Sequence, residues 1–274
     1  MRKTTAFLLL LISFSCKQPK PEGFTLNVQF QPEKTYRIST IRGTETVITY
    51  SGEGFAMKKL KSMKVQNPTI SSVKTKTDTE LETGIATADS TCSLKLTYVK
   101  TMSLDGKNNI PEGTVVIGEV NASHQPVFQS AQSPELGIDQ RISLIQNLQK
   151  SFEQFQFPVQ RMKIGDTLSV KRPVIMAMEG SEIDMLVESN YKLMSIEKDM
   201  AKFEFTQNYT MTPRRMDNSF TGTGTGKGQM TYDAGKMLIS DYSLKTELTM
   251  NKKLDYFEFD LKTTNEFSQS INLK

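Results

Sequence analysis

The sequence predicts a mainly β protein: two similar antiparallel β-meanders forming one curved sheet or half-barrel, with a single central α-helix at about 138–155. Three observations carry this expectation. Most of the chain alternates apolar and polar residues with period two, as half-buried strands do. One segment departs from that period and spaces its apolar residues by threes and fours. The stretches on either side of it parallel one another in order.

The strands come first. Phe24, Leu26, Val28 and Phe30 share one face of "FTLNVQF". Phe257, Phe259 and Leu261 share a face of "DYFEFDLK", and "KFEFTQNYTM" and "LISDYSLKTELTM" read in the same way. Threonine, serine and β-branched residues are abundant, which suits exposed strand faces. Asp105-Gly106, Pro111-Glu112-Gly113 and Asp233-Ala234-Gly235 supply turns between them.

The departure is "IDQRISLIQNLQKSFEQFQF". Ile138, Ile142, Ile145, Leu148, Phe152 and Phe155 make one helical stripe. Ser133-Pro134 is the expected cap and first helical residue, and Pro158 the stop. A stripe of this kind is expected to cover a sheet.

The flanking halves match. "PEKTYRIST" parallels "IGDTLSVKR", "STCSLKLTY" parallels "DMAKFEFTQ", and "VNASHQPVFQS" parallels "YDAGKMLISDYS". The expected organisation is a signal peptide at 1–15, a lipidated cysteine and flexible tether at 16–23, a first meander at 24–134, the helix at 135–157 and a second meander at 158–274.

The N-terminal part of that organisation rests on a resemblance. Arg2 and Lys3 precede Ala6–Ile12, seven apolar residues, far short of the ~20 that span a bilayer. Ser13-Phe14-Ser15-Cys16 follows. A small residue before a cysteine at this place resembles a bacterial lipoprotein precursor, which implies that Cys16 carries a diacylglycerol thioether and an N-acyl chain. The tether "KQPKPEG" has no packing pattern. It also lacks the acidic run of surface-exported lipoproteins. The implied location is the bacterial outer membrane, facing the periplasm.

A second resemblance covers nearly the whole remaining chain. Glu33-Lys34-Thr35-Tyr36, then Phe157-Pro158 with Lys163-Ile164-Gly165-Asp166-Thr167-Leu168, then the alternating glycines from Gly222 to Gly235 are similar to features of a group of uncharacterised Bacteroidota lipoproteins. Leu168 stands where many members have Trp. The resemblance implies an all-β envelope protein and brings no activity, cofactor or catalytic residue.

"TGTGTGKGQMTYDAG" invites a phosphate-loop reading, which its spacing rejects. The position five before Gly226 is Thr221, and Lys227 is followed by glycine. No helical pattern follows to aim a dipole at phosphate. As a strand, Gly222, Gly224, Gly226 and Gly228 share a bare face continued by Met230 and Tyr232. Such a face serves close packing and curvature, or lines a ligand site. These six are the candidate ligand-lining residues.

Little else suggests chemistry. His124 is the only histidine and sits in an expected turn, and Cys92 is expected to be a buried thiol. Together they cannot supply a zinc site. Asp78, Glu80 and Glu82 alternate along one strand face, expected to be solvated rather than calcium-binding. "KKLKSMK" at 58–64 reads as a solvated basic face or a contact for anionic headgroups. Fifteen methionines, crowded into the second half, fill irregular cores or accept varied apolar ligands. A net charge of +4, or +2 without Arg2 and Lys3, argues for no nucleic-acid partner. The expected function is a membrane-anchored, non-enzymatic envelope protein, without cofactor or metal, that binds an apolar small molecule or an envelope protein. The alternative is a scaffold subunit of an outer-membrane complex.

Overall fold

The computed structural model describes residues 23–103, 110–178, 181–212, 220–253 and 256–274. The signal segment, Cys16 and most of the tether, and the turn Asp105-Gly106, lie outside the described residues.

The molecule is mainly β, built on an open, curved antiparallel sheet. In chain order its strands are β1 (Phe24–Leu26), β2 (Thr35–Gly52), β3 (Thr69–Thr83), β4 (Cys92–Ser103), β5 (Val115–Val120), β6 (Pro126–Gln132), β7 (Gln160–Met162), β8 (Thr167–Met178), β9 (Ser181–Glu197), β10 (Met200–Thr212), β11 (Phe220–Asp233), β12 (Leu238–Lys253) and β13 (Phe257–Leu273). Helix α1 spans Gly54–Ser62 and α2 spans Ile138–Glu153. The main sheet has eleven strands in the order β6-β5-β4-β3-β2-β13-β12-β11-β10-β9-β8. The chain therefore starts at the centre and walks outward to one edge. It crosses with α2 to the opposite edge, then walks back to the centre. The two meanders join where β2 pairs with β13, from Tyr36↔Leu273 to Gly52↔Phe257.

The parallels between the halves hold in space. β2, β4 and the β5–β6 hairpin correspond in order to β8, β10 and the β11–β12 hairpin. The lead-in turns match as well. Glu33 (φ 56°) and Gly165 (φ 95°) both have left-handed backbones. Each donates its N–H to the far end of a neighbouring strand, Glu33 to the Gly84 carbonyl and Gly165 to that of Leu193.

Period two sorts the strands into an inner, buried face and an outer, charged one. Tyr36, Leu81, Leu94, Leu96 and Val116 fill the first meander's inner face, with α2 against them. Leu193, Phe203, Met230, Tyr232 and Tyr242 fill the second. That half is covered by the small β1–β7 sheet, which pairs Phe24↔Met162 through Leu26↔Gln160. Only three residues of the expected first strand form a ladder, yet Leu26, Val28 and Phe30 are all buried. The Tyr232 hydroxyl fixes this segment, donating to the Asn27 carbonyl at 2.8 Å.

Two corrections concern the helices. α1 occupies part of the lysine-rich window read as a solvated basic face or a headgroup contact, so the expected single helix has a short companion. α2 begins after Gly137, whose N–H donates to Gln140 Oε1 at 2.9 Å, and not at Pro134. Arg141 holds the lead-in by donating to the Ser133 and Leu136 carbonyls. The stripe is also rotated. Leu144 and Phe152 are buried, with Ile145 and Leu148 packed beside them, whereas Ile138 and Ile142 are exposed. Phe155 is buried beyond the helix, in the second cluster.

Both outer edges of the sheet are blunted. At β6, Gln149 of α2 accepts the Phe128 N–H at 3.2 Å. At β8, Pro173 removes a donor from the strand's middle.

Six of the eight tyrosines (36, 98, 191, 209, 232 and 242) have hydroxyl pKa values raised, chiefly by burial. Their contribution to stability is complete below the unfolded-state value near 10 and is lost as pH rises above it, because only the unfolded chain releases those protons readily. Alkaline titration monitored by phenolate absorbance is expected to show these six ionising together with loss of the β circular-dichroism signal. Their release while that signal stays intact would contradict the burial.

Candidate functional site

The inner face is not filled everywhere. Between α2 and strands β2, β3, β4 and β13 lies a cavity of about 670 Å³, in the size range of small-molecule sites. Its floor alternates out of the strands: Ile38, Thr40, Arg42 and Thr44 from β2, and Val73, Thr75, Thr77 and Thr79 from β3. Its roof is the helix. Gln140, Ser143, Asn147 and Ser151 line it beside Leu144, Leu148 and Phe152, so α2 turns a mixed face inward. This is why the stripe is rotated: the side of a helix that roofs a cavity carries polar groups.

Arg42 is the electrostatic centre of the floor. Its guanidinium carbon stands 5.6 Å from the centroid of the Phe267 ring, its cross-strand neighbour on β13. The side chain is exposed although protein surrounds it, as expected of a group standing in a cavity. Desolvation lowers its pKa, but an arginine stays protonated. Tyr98 is buried at 4% exposure, and burial pushes its hydroxyl pKa up.

Phe267 belongs to a chain of rings across the inner face. Tyr191, Phe205, Tyr242 and Phe267 follow one another at centroid distances of 4.8, 5.0 and 5.9 Å. Phe157 meets Tyr191 at 5.1 Å, and Arg172 stands 5.7 Å above Phe157. A guanidinium thus caps each end. Beside this chain, polar pairs involve five strands: Ser189 of β9 accepts from Gln207 of β10, Thr246 of β12 from Asn265 of β13, and Asn265 from Thr44 of β2.

The six residues expected to line a ligand site lie elsewhere. A side chain at Gly222 would meet Met211, at Gly224 Leu248, and at Gly228 the Phe205 ring. Met230 and Tyr232 are 1% exposed in the second cluster. The bare face is therefore close-packed by its neighbours' side chains, and none of the six lines the cavity beneath α2. Gly228 alone borders a trough of about 1000 Å³ on the outer face, among Lys74, Lys192, Lys227 and Lys245. That trough is larger but has no roof, and its lysines are solvated, so the covered cavity is the better candidate.

The remaining expectations resolve simply. Cys92 is a free thiol, 3% exposed, with its pKa raised by burial. His124 occupies the β5–β6 turn with φ 59°. Asp78 accepts from Ser39, Glu80 pairs with Arg37 and Lys274, and Glu82 pairs with Lys95. The Arg37 hydrogen bond lowers the Glu80 pKa. Among the described residues no acidic, histidine or cysteine cluster could hold a metal ion. No helix among them is long and apolar enough to cross a membrane.

Arg42 is not among the residues that the sequence analysis singles out, although "TYRISTIRGTETVI" carries the signal. An arginine sits there on the face shared by Tyr36, Ile38 and Ile48, where a charge breaks the alternation. No known protein family matches this chain, and no curated protein matches it either.

Proposed function

We propose that this chain is a non-enzymatic envelope protein, anchored to the outer membrane through a lipid on Cys16, that holds an apolar or amphipathic ligand beneath α2. The resemblance to bacterial lipoproteins supports the anchor. The observation that supports the binding role is the covered cavity of about 670 Å³, with Ile38, Leu96, Leu144, Leu148 and Phe152 in its wall. The acidic residues Glu80 and Glu82 are engaged in ion pairs, which favours binding over catalysis.

A second reading is an interaction subunit of a membrane complex. It is favoured by the exposed apolar residues around α1, namely Phe55, Met63, Ile70 and Tyr256, set beside Lys58, Lys59, Lys61 and Lys64. Phe55 and Tyr256 stack edge to face at 5.1 Å.

Native mass spectrometry of the form starting at Lys17, purified without detergent, tests the binding role. The expected result is an added mass that solvent extraction removes. A bare chain that also fails to take up a long-chain alcohol would transfer the case to the interaction reading.

A further inference from the structure

We propose that the cavity beneath α2 selects amphiphiles with a single small anionic head, a carboxylate or phosphate on an alkyl chain, and that Arg42 receives the head. This rests on the binding role above and names the ligand's chemical class.

The case starts from what surrounds Arg42. No Asp or Glu occupies a described inner-face position of β2, β3, β4 or β13, the strands that floor the cavity. Arg42 is the only charged side chain on those faces. Its cross-strand neighbours are Thr75 and Phe267. Asp139, on the roof, is the only carboxylate in the cavity wall, and it does not approach Arg42 closely enough to form an ion pair. Among the described residues the Arg42 guanidinium has no hydrogen-bond acceptor.

Arg172 shows what a satisfied guanidinium looks like on this face. It too stands over a phenylalanine ring, but it donates to the backbone carbonyls of Gln154 and Gln156. Arg42 has the ring contact without the acceptors. Five N–H donors in a planar fork thus face the cavity with no protein acceptor among the described residues. Water can reach these donors, and an oxyanion entering the cavity can replace it, because a fork of this shape binds a carboxylate or phosphate with two parallel bonds.

Two further polar groups converge on the same cavity. Tyr98 is 4% exposed, and its hydroxyl has no partner among the described residues. The Thr101 Oγ1 is fully buried, and it too is unpaired among them. Both can donate to an anionic head. From Ile38 to Thr44 the cavity follows β2 for six residues, or about 20 Å at ~3.3 Å per residue. Leu96, Leu136, Leu144, Leu148 and Phe152 line it for an alkyl chain.

The test compares hexadecanoate, hexadecyl phosphate and hexadecanol by titration calorimetry on the Lys17–Lys274 form, wild type and R42Q. At least one anionic probe is expected to bind about tenfold or more tighter than hexadecanol, as a charge-assisted pair of hydrogen bonds provides. R42Q should abolish that preference and leave hexadecanol binding intact. Arg42→Lys should retain part of it, because the charge remains and the fork is lost. Equal binding of all three probes by the wild type, or an unchanged preference in R42Q, would overturn the role of Arg42 and leave the binding role standing. If none of the three binds, the binding role fails and this inference with it.

Discussion

Replacing Phe152 with alanine is expected to destabilise the protein by about 3–5 kcal/mol, the usual cost of truncating a buried phenylalanine. The ring is 8% exposed and lies 5.7 Å from Phe30 and 5.2 Å from Phe128, centroid to centroid. It therefore joins three elements: the segment before β2, strand β6 and the end of α2. Losing it opens a void where the helix meets the sheet, in the wall of the cavity. Ile142→Ala is the control. Ile142 is as apolar as the Phe152 partners but 49% exposed, so its loss should stay within about 0.5 kcal/mol. Urea unfolding separates the two. Equal effects would mean that the helix packs through the stripe read from the sequence.

Gly228→Ala should have a comparable effect, about 3 kcal/mol, by overpacking. A Cβ there would stand 2.2 Å from the Ser243 carbonyl oxygen and 2.3 Å from the Phe205 ring. The bare position lets Phe205 lie across β11 and stack on Tyr242 at 5.0 Å. A methyl group would push the ring off that stack and disturb the chain that ends at Phe267 and Arg42. Gly226→Ala is the contrast. Its nearest neighbours would be the Leu244 and Thr246 methyls at 3.1 Å, which can yield by small shifts. Thermal unfolding should show a large loss for the first and a small change for the second. Matching results would mean that the glycines are kept for strand curvature alone, independent of Phe205.

The strands were legible because one face of each is buried, so period two survives in the sequence. "KFEFTQNYTM" could hardly be read otherwise, with Phe203 and Phe205 each 2–3% exposed. The paired lead-in turns were legible too, since Glu33 and Gly165 stand at matching places in their halves. α2 was legible as a helix, but its orientation was not. Hydrophobic periodicity finds the driest face, and a helix above a cavity shows the sheet Gln140, Ser143 and Asn147 instead. α1 was hidden because it is only nine residues long, its three lysines interrupt the apolar pattern, and it makes little contact with the rest. The glycine run drew attention as a local motif, yet its role depends on Phe205, Met211 and Leu248 from adjacent strands. Arg42 was harder still. Its meaning comes from the missing acceptors around it, which depends on three strands separated by long stretches of sequence.

The seam between β2 and β13 also governs how the molecule comes into being. Tyr36 must meet Leu273 and Gly52 must meet Phe257, so the first long strand is completed by the last. During synthesis the first meander can form hairpin by hairpin, because each partner follows closely. The inner side of β2 then waits for almost the entire chain. Until β13 arrives, this half exposes an eighteen-residue strand edge on its central side. Contacts so distant in sequence are slow to form, and an open edge of that length is a template for unwanted pairing. The finished sheet blunts its outer edges with Pro173 and Gln149, but its most vulnerable edge exists only before folding ends. Keeping that edge unpaired until the C-terminus is available is a demand that this topology places on the cell.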